Sequence, residues 1–507
     1  MRASSHIGAG GLALAFVFAP FAFTGCGVGD AQLGDPCADS SECDEALQCL
    51  ERVCTRRCNT HIDCGDGYTC ERGGQCLVVS SAIGDPCRRE IDCGPAQACM
   101  LQSEDLDQDG ALTGICQLQT PGLTIGSECR NDDECQVGVC ALGLCTQLCR
   151  QGSDCPPGLA CASIPRLLED SAPRFSGCLP GGGVIGHDIA MSSPSGWVRL
   201  PVPSHAQSFA LVAQIDEEDQ VVGATRVVAP AGAVLYAEPR TADDFYTNPI
   251  RYQPGRAVST LLVSNTPSVD LEVGAYRVDV ASKLPDGSAG TAVPRLRVLY
   301  KVDTGATLDL HFHFLDLTSH PCAEAFDGSK LDATTAPESP SFGGYLAEIE
   351  EVFAAAGVLL GDVTYHDITD RDDLDGVERD RVGELFARAD QQSGINVFLV
   401  RSIAPAGVEA VVGGTPGPPR TAGTRASGVA VGLDTLCYRD WPTLARVTAH
   451  AIARQMGLYY NRDPDGHPDT IADSDELSTN LMFFGDLGGA SLSSGQHEVL
   501  RRYPGLR

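Results

Sequence analysis

Apolar positions recur with two different periods along this chain. Leu308, Leu310, Phe312 and Phe314 alternate with Asp309, His311 and His313, the period of a strand. The same alternation suggests that His311 and His313 sit on an exposed polar face. Tyr345, Ile349, Val352, Phe353 and Ala356 fall at helical spacing, and Val382, Leu385, Phe386 and Ala389 do so again. Ile395–Val400 is a continuous apolar run, short enough for a buried strand. Strands alternating with helices predict an α/β layer over 304–507. Upstream, over 187–303, only the period of two appears. Tyr276, Val278 and Val280 alternate with Arg277 and Asp279. Similar runs lie at Phe209–Val212, Arg226–Val228, Val234–Tyr236, Leu261–Val263 and Leu296–Leu299. Gly, Pro, Asn and Asp separate them, which predicts an antiparallel β-sandwich. Pro180-Gly181-Gly182-Gly183 reads as the linker ahead of it.

Before that linker the hydrophobic pattern gives way to cysteine. Of 23 cysteines, 20 lie between Cys37 and Cys178. Leu33-Gly34-Asp35-Pro36-Cys37, Ile83-Gly84-Asp85-Pro86-Cys87 and Ile125-Gly126-Ser127-Glu128-Cys129 restart one pattern. Over 33–179 this divides into five four-cysteine units: Cys37, Cys43, Cys49, Cys54; Cys58, Cys64, Cys70, Cys76; Cys87, Cys93, Cys99, Cys116; Cys129, Cys135, Cys140, Cys145; and Cys149, Cys155, Cys161, Cys178. Units this small bury too little to fold without cross-links. Four cysteines allow three pairings per unit, so connectivity stays open. Zinc fits poorly, because C-x2-C pairs are absent and the cysteine density implies an oxidising compartment. The spacing resembles the Dickkopf-type and EGF-like modules of extracellular proteins, which implies a stalk or a protein-binding surface. An insertion carries Asp105, Asp107 and Asp109 followed by Gly110, the front half of a calcium loop. The glutamate that such a loop needs at its twelfth position is Cys116, so a solvated acidic loop is the competing reading.

Charge narrows the partners. The 507 residues carry 36 basic and 67 acidic groups, a net −31, which sets nucleic acid aside. Arg2 and the apolar run from Ile7 to Phe23 read as a signal peptide over 1–25. Phe23-Thr24-Gly25-Cys26 resembles the bacterial lipobox, although Phe23 replaces the usual leucine. The resemblance implies lipidation of Cys26, a tether over 26–32, and membrane attachment through acyl chains at the outer membrane or cell surface. A plain secretory peptide is the alternative. With Cys26 set apart, 22 cysteines remain, and Cys322 and Cys437 are the two outside the repeats. They are expected to bridge.

The C-terminal part holds one chemical signature. Ala449-His450-Ala451-Ile452-Ala453-Arg454-Gln455-Met456-Gly457-Leu458-Tyr459-Tyr460 is followed by Asn480-Leu481-Met482 and by Gln496 ahead of a terminal helix. This resembles the metzincin zinc peptidases, whose signature is H-E-x-x-H-x-x-G-x-x-H and a later methionine turn, and in particular metzincin-like lipoproteins of bacteria. The likeness covers about Leu308 to Arg507, including the Gly394–Val400 run and Pro416-Gly417-Pro418-Pro419. It implies a metzincin-like α/β (α+β) domain over 304–507, with Gly457 ending the helix and Met482 under the site. It also implies substrate held along an edge strand, here Gly428–Gly432. The departures decide the chemistry. His450 remains, but the glutamate is Ala451, the second histidine Arg454 and the third Tyr460. Alanine takes no proton, so general-base catalysis is lost. Arginine has no lone pair to give. A +1 group about 5 Å from a +2 ion, at an effective dielectric near 20, costs about 6–7 kcal/mol. His450 and a Tyr460 phenolate make two ligands where even an open site needs three.

The resulting expectation is an envelope lipoprotein with a catalytically inactive, peptide- or protein-binding head and no cofactor, zinc included; calcium remains a candidate in the cysteine-rich region. Two alternatives stay open. One is an active zinc peptidase with altered ligands, recruiting among His467, Asp469, Asp473 and Glu476. The other is a structural envelope protein with no ligand.

Overall fold

The computed structural model describes residues 31, 35, 37–44, 47–50, 52–58, 68–70, 76–78, 83–94, 97–106, 111–168, 171–315, 322–326, 330–474, 477–485 and 489–507. The leader, Cys26, Asp107, Asp109 and Glu476 lie outside them; Asp105 falls at the end of the strand Gln97–Leu106, its side chain outside the description. The chain divides into two compact units, 1–79 and 80–507. Among the described residues no helix is long and apolar enough to cross a membrane.

The first unit holds short hairpins, such as Gln48–Leu50 with Val53–Thr55. Among its described residues Cys37, Cys43 and Cys54 form a buried cluster, so disulfides stand where a larger core would otherwise serve. The bridges are Cys37–Cys49 and Cys43–Cys54. First-to-third and second-to-fourth pairing recurs in the later modules: Cys87–Cys99 with Cys93–Cys116, Cys129–Cys140 with Cys135–Cys145, and Cys149–Cys161 with Cys155–Cys178.

Those last three modules are not separate beads. Leu142, Leu148, Phe175 and Leu179 share one core with Ile185, Leu200 and Phe209 of the following region. That region is two antiparallel sheets face to face, built from β1 (Val184–Ala190), β2 (Ser195–Val202), β3 (Ser208–Gln214), β4 (Val221–Val228), β5 (Val234–Ala237), β6 (Val258–Val263), β7 (Gly274–Lys283) and β8 (Arg295–Lys301). The sheet orders are β1-β8-β3-β6 and β2-β7-β4-β5. Alternate residues of β7 are buried, as one solvated sheet face requires. Every residue of β6 is buried, because its outer face is covered as well: Val212 and Val258 pack on Ala426 of the C-terminal domain.

The C-terminal domain comprises β9 (Thr307–Leu315), α1 (Pro340–Ala355), β10 (Leu359–Ile368), β11 (Ile395–Val400), β12 (Ala410–Val412), β13 (Val429–Gly432), α2 (Trp441–Gln455) and α3 (Ser494–Arg501). The sheet order is β10-β9-β11-β13-β12, parallel except for the antiparallel β12. Ser339 caps α1 by accepting from Phe342 N, and Asp440 caps α2 by accepting from Thr443 N. One sheet face packs on α1 and α2 through Phe312, Tyr345, Ile349, Leu444 and Ile452. The other, through Phe398, Val400 and Ala430, packs on Leu385 and Phe386. A disulfide joins Cys322 to Cys437.

Burial on both faces corrects the expectation for His311 and His313, which are 3% and 2% exposed. A central parallel strand is covered on both sides, so its polar side chains find partners inside. His313 Nε2 meets Asn396 Oδ1 at 2.8 Å, and its ring lies 4.5 Å from that of Phe398. Burial pulls its pKa down to about 4. His311 bonds Thr364 Oγ1 and Ser393 O. The expected edge segment is corrected too: Val429–Gly432 lies inside the sheet, between β11 and β12, and the edge is Ala410–Val412. The chain runs out along β12 and returns through β13, which leaves the outer position to the earlier strand.

Candidate functional site

Helix α2 buries Ala449, Ile452 and Ala453 in the core and turns His450 and Arg454 away from it. The helix ends at Gln455 with Met456 as its C-cap, and Gly457 follows with φ +112°, a conformation open to glycine because it has no Cβ. This reversal brings Tyr460 back beside the helix: its ring centroid lies 5.6 Å from that of His450 and 4.2 Å from Arg454 Cζ. His450 Nδ1 donates to the Leu481 carbonyl at 2.7 Å, since a carbonyl only accepts. The neutral ring therefore carries its lone pair on Nε2.

The turn that holds Leu481 is fixed from α3. Asn480 Oδ1 accepts from Met482 N at 2.8 Å, and its amide donates to Gln496 Oε1 at 2.9 Å. Gln496 is the third residue of α3, inside the helix and not ahead of it, and closes a capping box with Ser493. Met482 is wholly buried, and its carbonyl accepts from Asn461 N, the residue after Tyr460.

His450, Ala451, Arg454 and Tyr460 thus line a single cleft of about 680 Å³, with Asn480 and Leu481 on its wall. The structure brings these sequence-selected positions together. Of the other candidates, His467 stacks on Tyr246 at 3.9 Å, Asp469 accepts from Ile471 N, and Asp473 accepts from Gly495 N and Ser493 Oγ. None of these three lines the cleft. Among the described residues, sets of three or more His, Cys, Asp or Glu ligand atoms within 4.8 Å are all cysteine sets. Their cysteines are already disulfide-bonded.

Two features of the site escaped sequence reasoning. The first is the edge strand β12, which lines the cleft. Gly413 N donates to Gly428 O and Gly432 N to Glu409 O, so the paired positions of this strand are the odd-numbered ones. Ala410 and Val412 therefore turn their N–H and C=O groups outward. Three residues give too short a pattern for periodicity to detect. The second is an adjoining pocket of about 490 Å³, lined by Tyr236, Phe245, Tyr246, Tyr252 and Tyr459. Most of these rings come from the sandwich. The Thr241-to-Asp244 capping box was the legible trace of the short helix Ala242–Thr247 that carries Phe245 and Tyr246. Arg251 ties the pocket to the C-terminal domain: its guanidinium lies 4.6 Å from the Tyr246 ring and donates to Pro468 O at 2.9 Å. Nearby, burial pushes the Asp469 carboxyl up to about 7.

Comparison with known proteins adds little about function. No family model matches the chain. A curated protein from Lophiotoma acuta described as "Turripeptide OL55-like" is 27% identical over 106 residues, 21% of this chain and 98% of that protein. A structure of the infectious bursal disease virus Gx strain aligns at 10% identity over 46% of this chain and 63% of its own, with a TM-score of 0.16. Infectious bursal virus T=1 particles align at 12% identity over 54% of this chain and 67% of theirs, with a TM-score of 0.15. Scores this low carry no argument about fold.

Proposed function

We propose that the chain is an exported cell-envelope lipoprotein whose C-terminal head is a metzincin-like pseudopeptidase that binds an extended peptide without cleaving it. The observation that carries this reading is the composition of one cleft. It holds His450 but an alanine, an arginine and a tyrosine where a zinc peptidase needs a base and two more histidines, and it still presents an outward-facing strand edge. Peptide capture by strand addition needs backbone donors and acceptors and no metal. The lipid on Cys26 would hold the protein at the membrane, and the cysteine modules packed on the sandwich would form part of one body with the head, not a free stalk. Where calcium is concerned, Asp105 is the described part of the candidate loop.

Proline tests the binding mode. Val412→Pro removes an outward N–H and leaves the ladder to β13 intact, a substitution that edge strands tolerate. Binding of labelled extended peptides is expected to weaken severalfold while the fold holds. Unchanged binding would exclude strand addition at β12.

A further inference from the structure

The chain carries a net −31, yet Arg379 and Arg454 line the cleft, beside an Arg446 that has partners of its own, and its described lining residues include one carboxylate, Glu409. Glu409 already faces Arg439 at 3.6 Å. A cationic cleft in a polyanionic protein focuses its field on an anion. Arg454 is the residue placed to receive one. Among the described residues it makes no ion pair within 4.0 Å, and its buried Nε has no hydrogen-bond partner. Arg454 is half-buried, but a side-chain nitrogen buried as its Nε is ordinarily has such a partner. Its guanidinium lies against the Tyr460 ring, and an arginine stacked on an aromatic face keeps its in-plane N–H donors for a carboxylate.

Position supplies the rest. Gln253, Pro254, Arg454 and Tyr460 line both the cleft and the aromatic pocket, so Arg454 stands where the two meet. The pocket also holds Tyr236, fully buried, whose hydroxyl has no partner. Of its two carboxylates, Glu238 pairs with Lys283, while Asp463 interacts with Tyr246 and Arg251 and, from beyond ion-pair distance, with Arg454.

We propose that the cleft reads a carboxylate on its peptide: Arg454 binds the carboxylate, and the aromatic pocket takes the large apolar or aromatic side chain beside it. This rests on the peptide-binding reading above and adds which peptide. The carboxylate could belong to a chain terminus or to an Asp or Glu side chain, and both present the same fork to a guanidinium.

The test measures binding of short fluorescent peptides of mixed sequence ending in Phe, Tyr or Leu to the purified full chain. Three forms are compared: free acid, C-terminal amide, and amide with one internal Glu. The free acid is expected to bind about tenfold more tightly than the amide, and added salt should narrow the gap. Recovery of affinity in the Glu-containing amide would assign the carboxylate to a side chain, and no recovery would assign it to the terminus; both support the site. Arg454→Gln should abolish the acid–amide difference while binding at the level of the amide persists, and Arg454→Lys should keep part of it. Equal binding of all three forms to the native protein, acid, amide and Glu-containing amide alike, overturns the carboxylate site and leaves the peptide-binding reading standing. Absence of binding in all three forms overturns that reading and this one with it.

Discussion

Gly457 is the position where the site's geometry and the chain's energetics meet. Its φ of +112° lies where an L-residue is strained, at a cost of roughly 1–3 kcal/mol. A Cβ there would stand 2.9 Å from Leu262 Cδ2, the end of a side chain that is itself fully buried. Moving Leu262 off its rotamer adds about 0.5–1.5 kcal/mol. Gly457→Ala should therefore destabilise the protein by roughly 1.5–4.5 kcal/mol. Gly344→Ala makes the matched control. This glycine is exposed in the interior of α1, with nothing within 4 Å of the added methyl, and alanine there should stabilise by about 0.5–1 kcal/mol. Urea unfolding followed by tryptophan fluorescence reads both. Trp441, whose indole donates to Ala325 O, sits in the same domain, and the one other tryptophan, Trp197, is largely exposed. Equal shifts in the same direction for the two variants would refute the claim that the turn at Gly457 is conformationally demanding.

Three other outcomes follow from the same structure. Replacing Cys322 and Cys437 by serine opens a loop spanning 115 positions and should cost about 4–5 kcal/mol on the chain-entropy estimate, visible as a lower unfolding midpoint under non-reducing conditions. Burial raises the Asp469 carboxyl from 3.8 to about 7, so the folded state holds a proton that the unfolded state has released. Stability should then fall as pH rises from about 4 to about 7, and Asp469→Asn should flatten that slope in pH-dependent unfolding. Arg502 donates from the end of α3 to Ser264 Oγ and Thr266 O of the sandwich, both at 2.9 Å. Arg502→Ala should lower stability by about 1.5–3 kcal/mol and raise protease sensitivity at this junction; an unchanged melting curve would contradict its role as a latch.

Local pattern was legible where burial is local. The alternation from Leu308 to Phe314 and the apolar run Ile395–Val400 correspond to β9 and β11, and the helical spacing around Tyr345–Ala356 to α1. Two strands of the sandwich are not among the runs read from the sequence: β1 is exposed or half-buried at most positions, and in β2 the alternation of Val198, Leu200 and Val202 is interrupted by Pro201, a residue that argues against a strand. The burial of His311 and His313 is not legible locally because the layer that covers their face, around Leu385 and Phe386, comes from distant sequence. In the site, residues 450–460 lie on one helix and one turn, so their proximity follows from spacing. That Asn480 and Leu481 join them on the cleft wall depends on Asn480 reaching Gln496, which spacing alone does not reveal. The aromatic pocket and the packing of the cysteine modules on the sandwich arise between domains, where no single stretch carries the signal.

The central claim is a peptide-binding cleft that works without an ion. Its most direct test is metal content measured alongside peptidase activity on the purified full chain. The account predicts zinc well below one per chain and no hydrolysis of unfolded polypeptide substrates. One zinc per chain, with cleavage abolished both by a chelator and by His450→Ala, would contradict it.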